Sequence, residues 1–160
     1  MEKNFMNAFS EYGDAIYRFS MVKVSNVQLA EDMTQEVFMR YWQCLRDGKE
    51  MTNTRSFLYT IANNLAKDWY KRKKAESLDV HMEAGFSPKD ESLNPEAHAS
   101  YLEILEAIQD LEEKDTEVLL LTYVEGLPPR DVAEILSETP NSVSVRLNRA
   151  THRLQKKLGI

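Results

Sequence analysis

Two stretches of this chain place amide, hydroxyl and basic side chains at helical spacing. In the first, Thr60, Asn63, Asn64, Lys67, Tyr70, Lys71 and Lys74 recur every three or four residues. Cations in such a row follow a phosphate backbone, while amides and an aromatic engage unstacked bases, so the mixture suits single-stranded nucleic acid. A merely solvated face would not need two adjacent asparagines in mid-helix, where their propensity is mediocre. In the second stretch, Ser142, Ser144, Val145, Asn148, Arg149, His152 and Arg153 project from one side of a helix. Its other side carries Val143, Leu147, Ala150, Leu154 and Leu158. Short polar groups near its start can approach base edges, arginine can pair with guanine or hold phosphate, and asparagine can read adenine. Asn141 and Ser142 open the helix, where backbone N–H groups point at phosphate. Spacing alone also fits an amphipathic helix with a solvated basic face.

A third strip is chemically opposite. Asp32, Gln35, Glu36 and Arg40 share one polar side of a helix, an acid-rich surface that repels DNA and suits a basic protein. Taken alone it is equally the solvent side of that helix. Nothing in the chain resembles a catalytic constellation or a Gly-rich phosphate loop. His81, His98 and His152 lack companions at ligand spacing, so neither a metal nor a cofactor is expected. Cys44 is the single cysteine, which excludes an intramolecular disulfide and any multi-cysteine zinc site.

The elements that position these strips are helical throughout. Phe5, Phe9, Tyr12, Ile16 and Phe19 mark a first helix with one buried face. A second starts near Ala30 and buries Leu29, Met33, Val37, Tyr41 and Leu45; a third runs from about Arg55 to Lys74 and buries Phe57, Leu58, Ile61, Leu65 and Trp69. Between them, residues 46–54 form a polar, Gly-containing loop. From Leu78 the periodicity lapses and Gly85, Pro88, Pro95 and several acids follow. Helices resume at Tyr101–Leu111, about Asp115–Glu125, Pro129–Leu136 and about Asn141–Leu158. The spacing therefore predicts an all-α chain of two small helical domains, residues 1–77 and 97–160, on a flexible linker over 78–96. The second domain has the shape of a helix-turn-helix.

Of the 160 residues, 42% are hydrophobic and 29% charged, an ordinary globular balance. With a polar N-terminus and no apolar run near the roughly 18 residues of a membrane span, a soluble, cytoplasmic protein is expected. The net charge of −6 argues against nucleic acid only if it is evenly spread. It is not: residues 1–77 hold 12 basic and 10 acidic residues, residues 78–97 hold one lysine against five acids, and residues 98–160 hold 7 basic against 11 acidic. The basic charge gathers at Lys67–Lys74 and at Arg146, Arg149, Arg153, Lys156 and Lys157. Dipole compensation at a helix C-terminus explains two or three charges at each end, not a row of four with aromatics.

Residues 30–42 (Ala-Glu-Asp-Met-Thr-Gln-Glu-Val-Phe-Met-Arg-Tyr-Trp) and 54–69 together resemble region two of bacterial sigma factors. Residues 111–127, with Asp131–Leu136 and Val143–Ala150, resemble region four. Two regions alone, in this order, are the architecture of the extracytoplasmic-function (ECF) class. The resemblance implies that Asp32, Gln35, Glu36 and Arg40 bind core RNA polymerase at its beta-prime clamp, with the beta flap as a further partner surface. It implies that the loop Gly48–Thr54 with Asn63, Asn64 and Lys67 melts the minus-ten element, Asn64 bordering a flipped base; Lys71 continues that face. It implies that Ser144, Val145, Asn148 and Arg149, beside Ser142, read the minus-thirty-five duplex, with Arg146 and Arg153 on phosphate. Promoter DNA and an anti-sigma factor follow as partners, and no small-molecule substrate does.

The chain departs from the family's usual pattern in three places. Ser144 stands where a basic residue is common, and Val145 where Ser or Thr is common, so its minus-thirty-five preference differs at about 1–3 kcal/mol per altered base contact. Pro128 replaces a Ser or Thr cap, a loss that Pro129 in the first helical turn partly offsets. A helix-turn-helix regulator that binds duplex DNA without polymerase also explains residues 97–160. It leaves the acidic strip and the asparagine–lysine face without a role.

Overall fold

The computed structural model describes residues 1–76 and 94–160, which fall in two compact units. All the described regular structure is helical, and no described helix is long and apolar enough to cross a membrane. Of the flexible linker expected over 78–96, residues 78–93 lie outside the described residues, as does residue 77 before it.

The first unit is built from α1 (Glu2–Val24), α2 (Val27–Arg46) and α3 (Thr54–Glu76), each packed on the other two. The α1–α2 corner is tight because Ser25 takes a left-handed conformation (φ 50°) that ends α1. The next residue, Asn26, then caps α2 by accepting the Leu29 N–H at 3.0 Å. That cap starts α2 three residues before the predicted Ala30. Asn53 does the same for α3, accepting the Ser56 N–H at 3.1 Å.

One end of the unit is aliphatic, with Met21, Val24, Ala30, Met33 and Ala66 packed under Leu65 and Trp69. The other end is aromatic. Phe5 and Phe9 of α1 pack their rings, mostly edge to face, against Phe38, Tyr41 and Trp42 of α2 at 5.0–6.2 Å. Phe9, expected in the core, remains 49% exposed and serves as the outer wall of this cluster. At mid-height Phe19 and Tyr59 meet edge to face at 5.4 Å, both fully buried. Such a pair adds about 0.5–1.5 kcal/mol beyond its area burial.

The second unit holds α4 (Pro95–Gln109), α5 (Glu113–Leu119), α6 (Pro129–Leu136) and α7 (Pro140–Leu158). Helix α4 begins at Pro95, inside the stretch expected to be linker. Asn94 caps it by accepting the Ala97 N–H at 2.7 Å, and Pro95 sits in the first turn where its missing N–H costs nothing. Helix α5 runs on into one π-helical turn, Leu120–Val124, whose buried Leu120 and Leu121 join the core. Helices α6 and α7 form the helix-turn-helix. Ser137 (φ 54°) closes α6, and Thr139 caps α7 by accepting the Ser142 N–H at 3.1 Å. Helix α7 packs on α4, α5 and α6 through Val143 and Ala150, both fully buried.

Candidate nucleic-acid interface

On α3 the buried side is rotated from the one the apolar spacing suggested. Ser56, Leu58, Tyr59, Ile61, Ala62, Asn63 and Ala66 face the core, while Phe57, Leu65 and Trp69 are only half-buried. This corrects the placement of Asn63. It is 0% exposed, and neither its Nδ2 nor its Oδ1 finds a hydrogen-bond partner among the described residues. Adjacent helical residues lie about 100° apart, so the two asparagines cannot share one outward strip unless that strip is wide. Here Asn64 takes the outside and Asn63 the inside.

The outward strip is therefore narrower than expected. Asn64, Lys71, Arg72 and Lys74 are exposed and Lys67 is half-buried. The Thr60 hydroxyl turns back to the Ser56 carbonyl at 2.7 Å. The Tyr70 hydroxyl donates to the Lys23 carbonyl, which ties α3 to the end of α1. Lys73 lies 4.7 Å above the Trp69 ring, a cation–π contact. The loop before α3 borders a cleft of about 480 Å³. Asn7, Glu11 and Tyr12 of α1, Tyr41 of α2, and Lys49, Glu50 and Thr54 line it. Burial, then the neighbouring Glu11, raises the Tyr12 hydroxyl above the ordinary tyrosine pKa. Asn64 does not line this cleft, so the loop and the outward asparagine do not form one cavity.

On α2, Asp32, Gln35 and Arg40 are exposed and Glu36 is half-exposed, in one continuous strip. The strip is ordered from within: Gln28 donates to Asp32 at 3.1 Å, and Arg40 Nε donates to Glu36 Oε1 at 2.8 Å. The Glu36–Arg40 pair is solvent-facing and contributes little to stability.

On α7, Ser142, Ser144, Val145, Asn148, Arg149 and Arg153 are exposed, and Arg146 is not. The guanidinium of Arg146 pairs with Glu138 in the turn, where both side chains are about one-fifth exposed. Arg153 Nη1 donates to the buried Asp115 Oδ2 at 2.7 Å. That hydrogen bond, with the carboxylate's charge, raises the guanidinium's already high pKa. The two arginines expected on phosphate are thus held by carboxylates of their own unit. Sequence spacing missed Asp115 because packing, not helical register, brings it to α7, and missed Glu138 because it lies in the turn before the helix starts.

Two family models match the chain in order. Sigma-70 region 2 covers residues 8–76, and Sigma-70, region 4 covers residues 101–154. The chain belongs to the sigma-70 family, in its ECF class. Among its relatives, a probable RNA polymerase sigma factor, RfaY, of Xanthomonas campestris pv. campestris is 32% identical over 142 residues, 83% of this chain and 35% of that protein. The ECF RNA polymerase sigma factor BldN of Streptomyces coelicolor is 28% identical over 164 residues, 96% of this chain and 60% of that protein. The chain thus spans less than two thirds of the length of either relative. The sigma factor RpoE of Bartonella quintana, solved in complex with the anti-sigma factor NepR, shares the fold. Its TM-score is 0.77 and its identity 24%, with 99% of this chain and 98% of that one covered. In these terms α1–α3 carry region 2, and α4–α7 carry region 4.

Proposed function

We propose that this sigma-family chain is a promoter-specificity subunit that works in the cytoplasm by binding and not by catalysis. The observation that carries the reading is the pairing, in one chain, of an acid strip on α2 and an amide–cation face on α3 with a helix-turn-helix. Asp32, Gln35, Glu36 and Arg40 bind the beta-prime clamp of core RNA polymerase, and the region-4 unit meets the beta flap. Asn64, Lys67 and Lys71 hold the melted minus-ten strand. Ser142, Ser144, Val145, Asn148 and Arg149 face the minus-thirty-five duplex. Residues 1–77 and 97–160 act as the two functional domains. A regulator that binds duplex DNA alone leaves the first unit without a task. The Bartonella sigma factor was solved bound to an anti-sigma factor, and a partner of that kind fits here too.

Flipping a base costs a few kcal/mol, which polymerase contacts and capture beside Asn64 must offset. Run-off transcription with and without bacterial core polymerase tests the reading. Promoter-directed transcripts that need both proteins are expected; transcripts indifferent to the chain, or no association with core, overturn it. In the same assay Asn64→Ala weakens open-complex formation and leaves core association intact. Arg149→Ala impairs selection of the minus-thirty-five element.

A further inference from the structure

Glu138 spends both carboxylate oxygens on the helix that follows it. Oε1 pairs with the Arg146 guanidinium, and Oε2 accepts the Ser142 hydroxyl at 3.2 Å. Residues 138, 142 and 146 are spaced by four, so the carboxylate sits at the head of a row that includes two side chains assigned to DNA. The turn fixes it there. Its own N–H is bonded to the Ala133 carbonyl at 2.9 Å, and the next residue, Thr139, caps α7. The Glu138 and Arg146 side chains are only 19% and 22% exposed, so salt screens the pair far less than an open surface pair.

A carboxylate that accepts from a guanidinium and a hydroxyl makes the same bonds that a DNA phosphate oxygen makes with an arginine and a serine. We infer that Glu138 is an internal phosphate substitute: it occupies Arg146 and Ser142 until duplex DNA displaces it, and so lowers the free chain's DNA affinity. The inference rests on the region-4 unit facing duplex DNA, as proposed above. Its physical content is a competition. A phosphate gains Arg146 only by ejecting a carboxylate that then stands, unpaired, beside the DNA backbone. Free duplex binding is penalised, whereas binding held in place by polymerase tolerates the exchange.

Counterion release gives a readout that a merely structural carboxylate would not move. Each phosphate neutralised on duplex DNA steepens the dependence of log affinity on log salt by about 0.9. The full chain is titrated against a mixed-sequence DNA duplex across a salt series, by fluorescence anisotropy. Glu138→Gln should bind several-fold more tightly at low salt, with a slope steeper by about 0.9. The double variant Glu138→Gln with Arg146→Gln replaces a neutral pair by a neutral pair and should return to the wild-type slope. An unchanged slope in Glu138→Gln overturns the inference. So does a double variant whose slope is shallower than wild type by about 0.9, because Arg146 would then already be on phosphate. Thermal melting of each variant separates loss of fold from loss of affinity, and the double variant keeps the inference testable if Glu138→Gln alone folds poorly. Run-off transcription by the wild type tests the functional reading separately: its failure there leaves the duplex slopes free to decide on Glu138.

Discussion

Helices α3 and α7 carry similar basic residues toward their ends and treat them in opposite ways. On α3, Lys71, Arg72 and Lys74 are exposed and meet no carboxylate among the described residues. On α7, three of five cations are matched: Arg146 by Glu138, Arg153 by Asp115, and Lys157 by Asp110 at 3.4 Å. Arg149 and Lys156 are exposed and meet no carboxylate among the described residues. The cause lies in the neighbours. Helix α7 meets acids from three places, Asp110 just after α4, Asp115 on α5 and Glu138 in the turn before it, whereas the end of α3 runs past an aliphatic cluster. A count of lysines and arginines therefore misstates the field a nucleic acid meets; what matters is which cations remain after the fold's own acids have taken theirs.

The largest effect expected from this difference is on α3. Replacing Lys71, Arg72 and Lys74 together by Gln removes three unmatched charges. The salt slope for single-stranded DNA should become shallower by about 2, with affinity at low salt falling on the order of a hundredfold. A triple variant that binds a single strand as the wild type does would remove the distinction between the two helices. Arg153→Gln, on α7, tests the opposite case. Its guanidinium is already engaged, so the duplex slope should move by well under the roughly 0.9 of one phosphate. The cost should appear in stability instead. Asp115, only 6% exposed along its side chain, loses its partner, and a buried charge left alone is destabilising. The region-4 unit should melt several degrees lower by circular dichroism. A full phosphate's worth of slope lost at unchanged melting temperature would return Arg153 to the DNA face.

How much of this was legible beforehand follows from what decides each feature. Helical class, the order of the elements and the inner face of α7 depend on local spacing: Val143 and Ala150 are buried where the apolar period put them. The caps were equally local but quieter. Asn26 and Asn94 each start a helix earlier than the apolar run does, because a cap acts through one backbone N–H and not through a hydrophobic stripe. Ion pairs such as Arg153–Asp115 join residues 38 apart in sequence, and no period reveals them. On α3 the residue types misled. Small and polar side chains, Ser56 and Asn63 among them, occupy the inner face, while Phe57 and Trp69 lie half out of it.

That inner face yields the smallest expected effect. Helix α7 turns only Val143 and Ala150 fully inward, but α3 buries Asn63, whose two amide atoms have no partner among the described residues. An unpaired buried polar group costs about 1–3 kcal/mol. Asn63→Leu keeps a similar volume and removes both orphaned atoms, so the region-2 unit should gain about 1 kcal/mol in denaturant unfolding. A loss of stability would mean that the amide finds bonds inside the helix packing after all. The same variant also decides how wide the DNA-facing strip of α3 is. With Asn64 as the only amide turned outward, Asn63→Leu should leave binding to a melted promoter strand unchanged. If that binding weakens while the fold gains stability, then Asn63 turns out toward the DNA when the strand is captured, and the cost of its burial favours that turn.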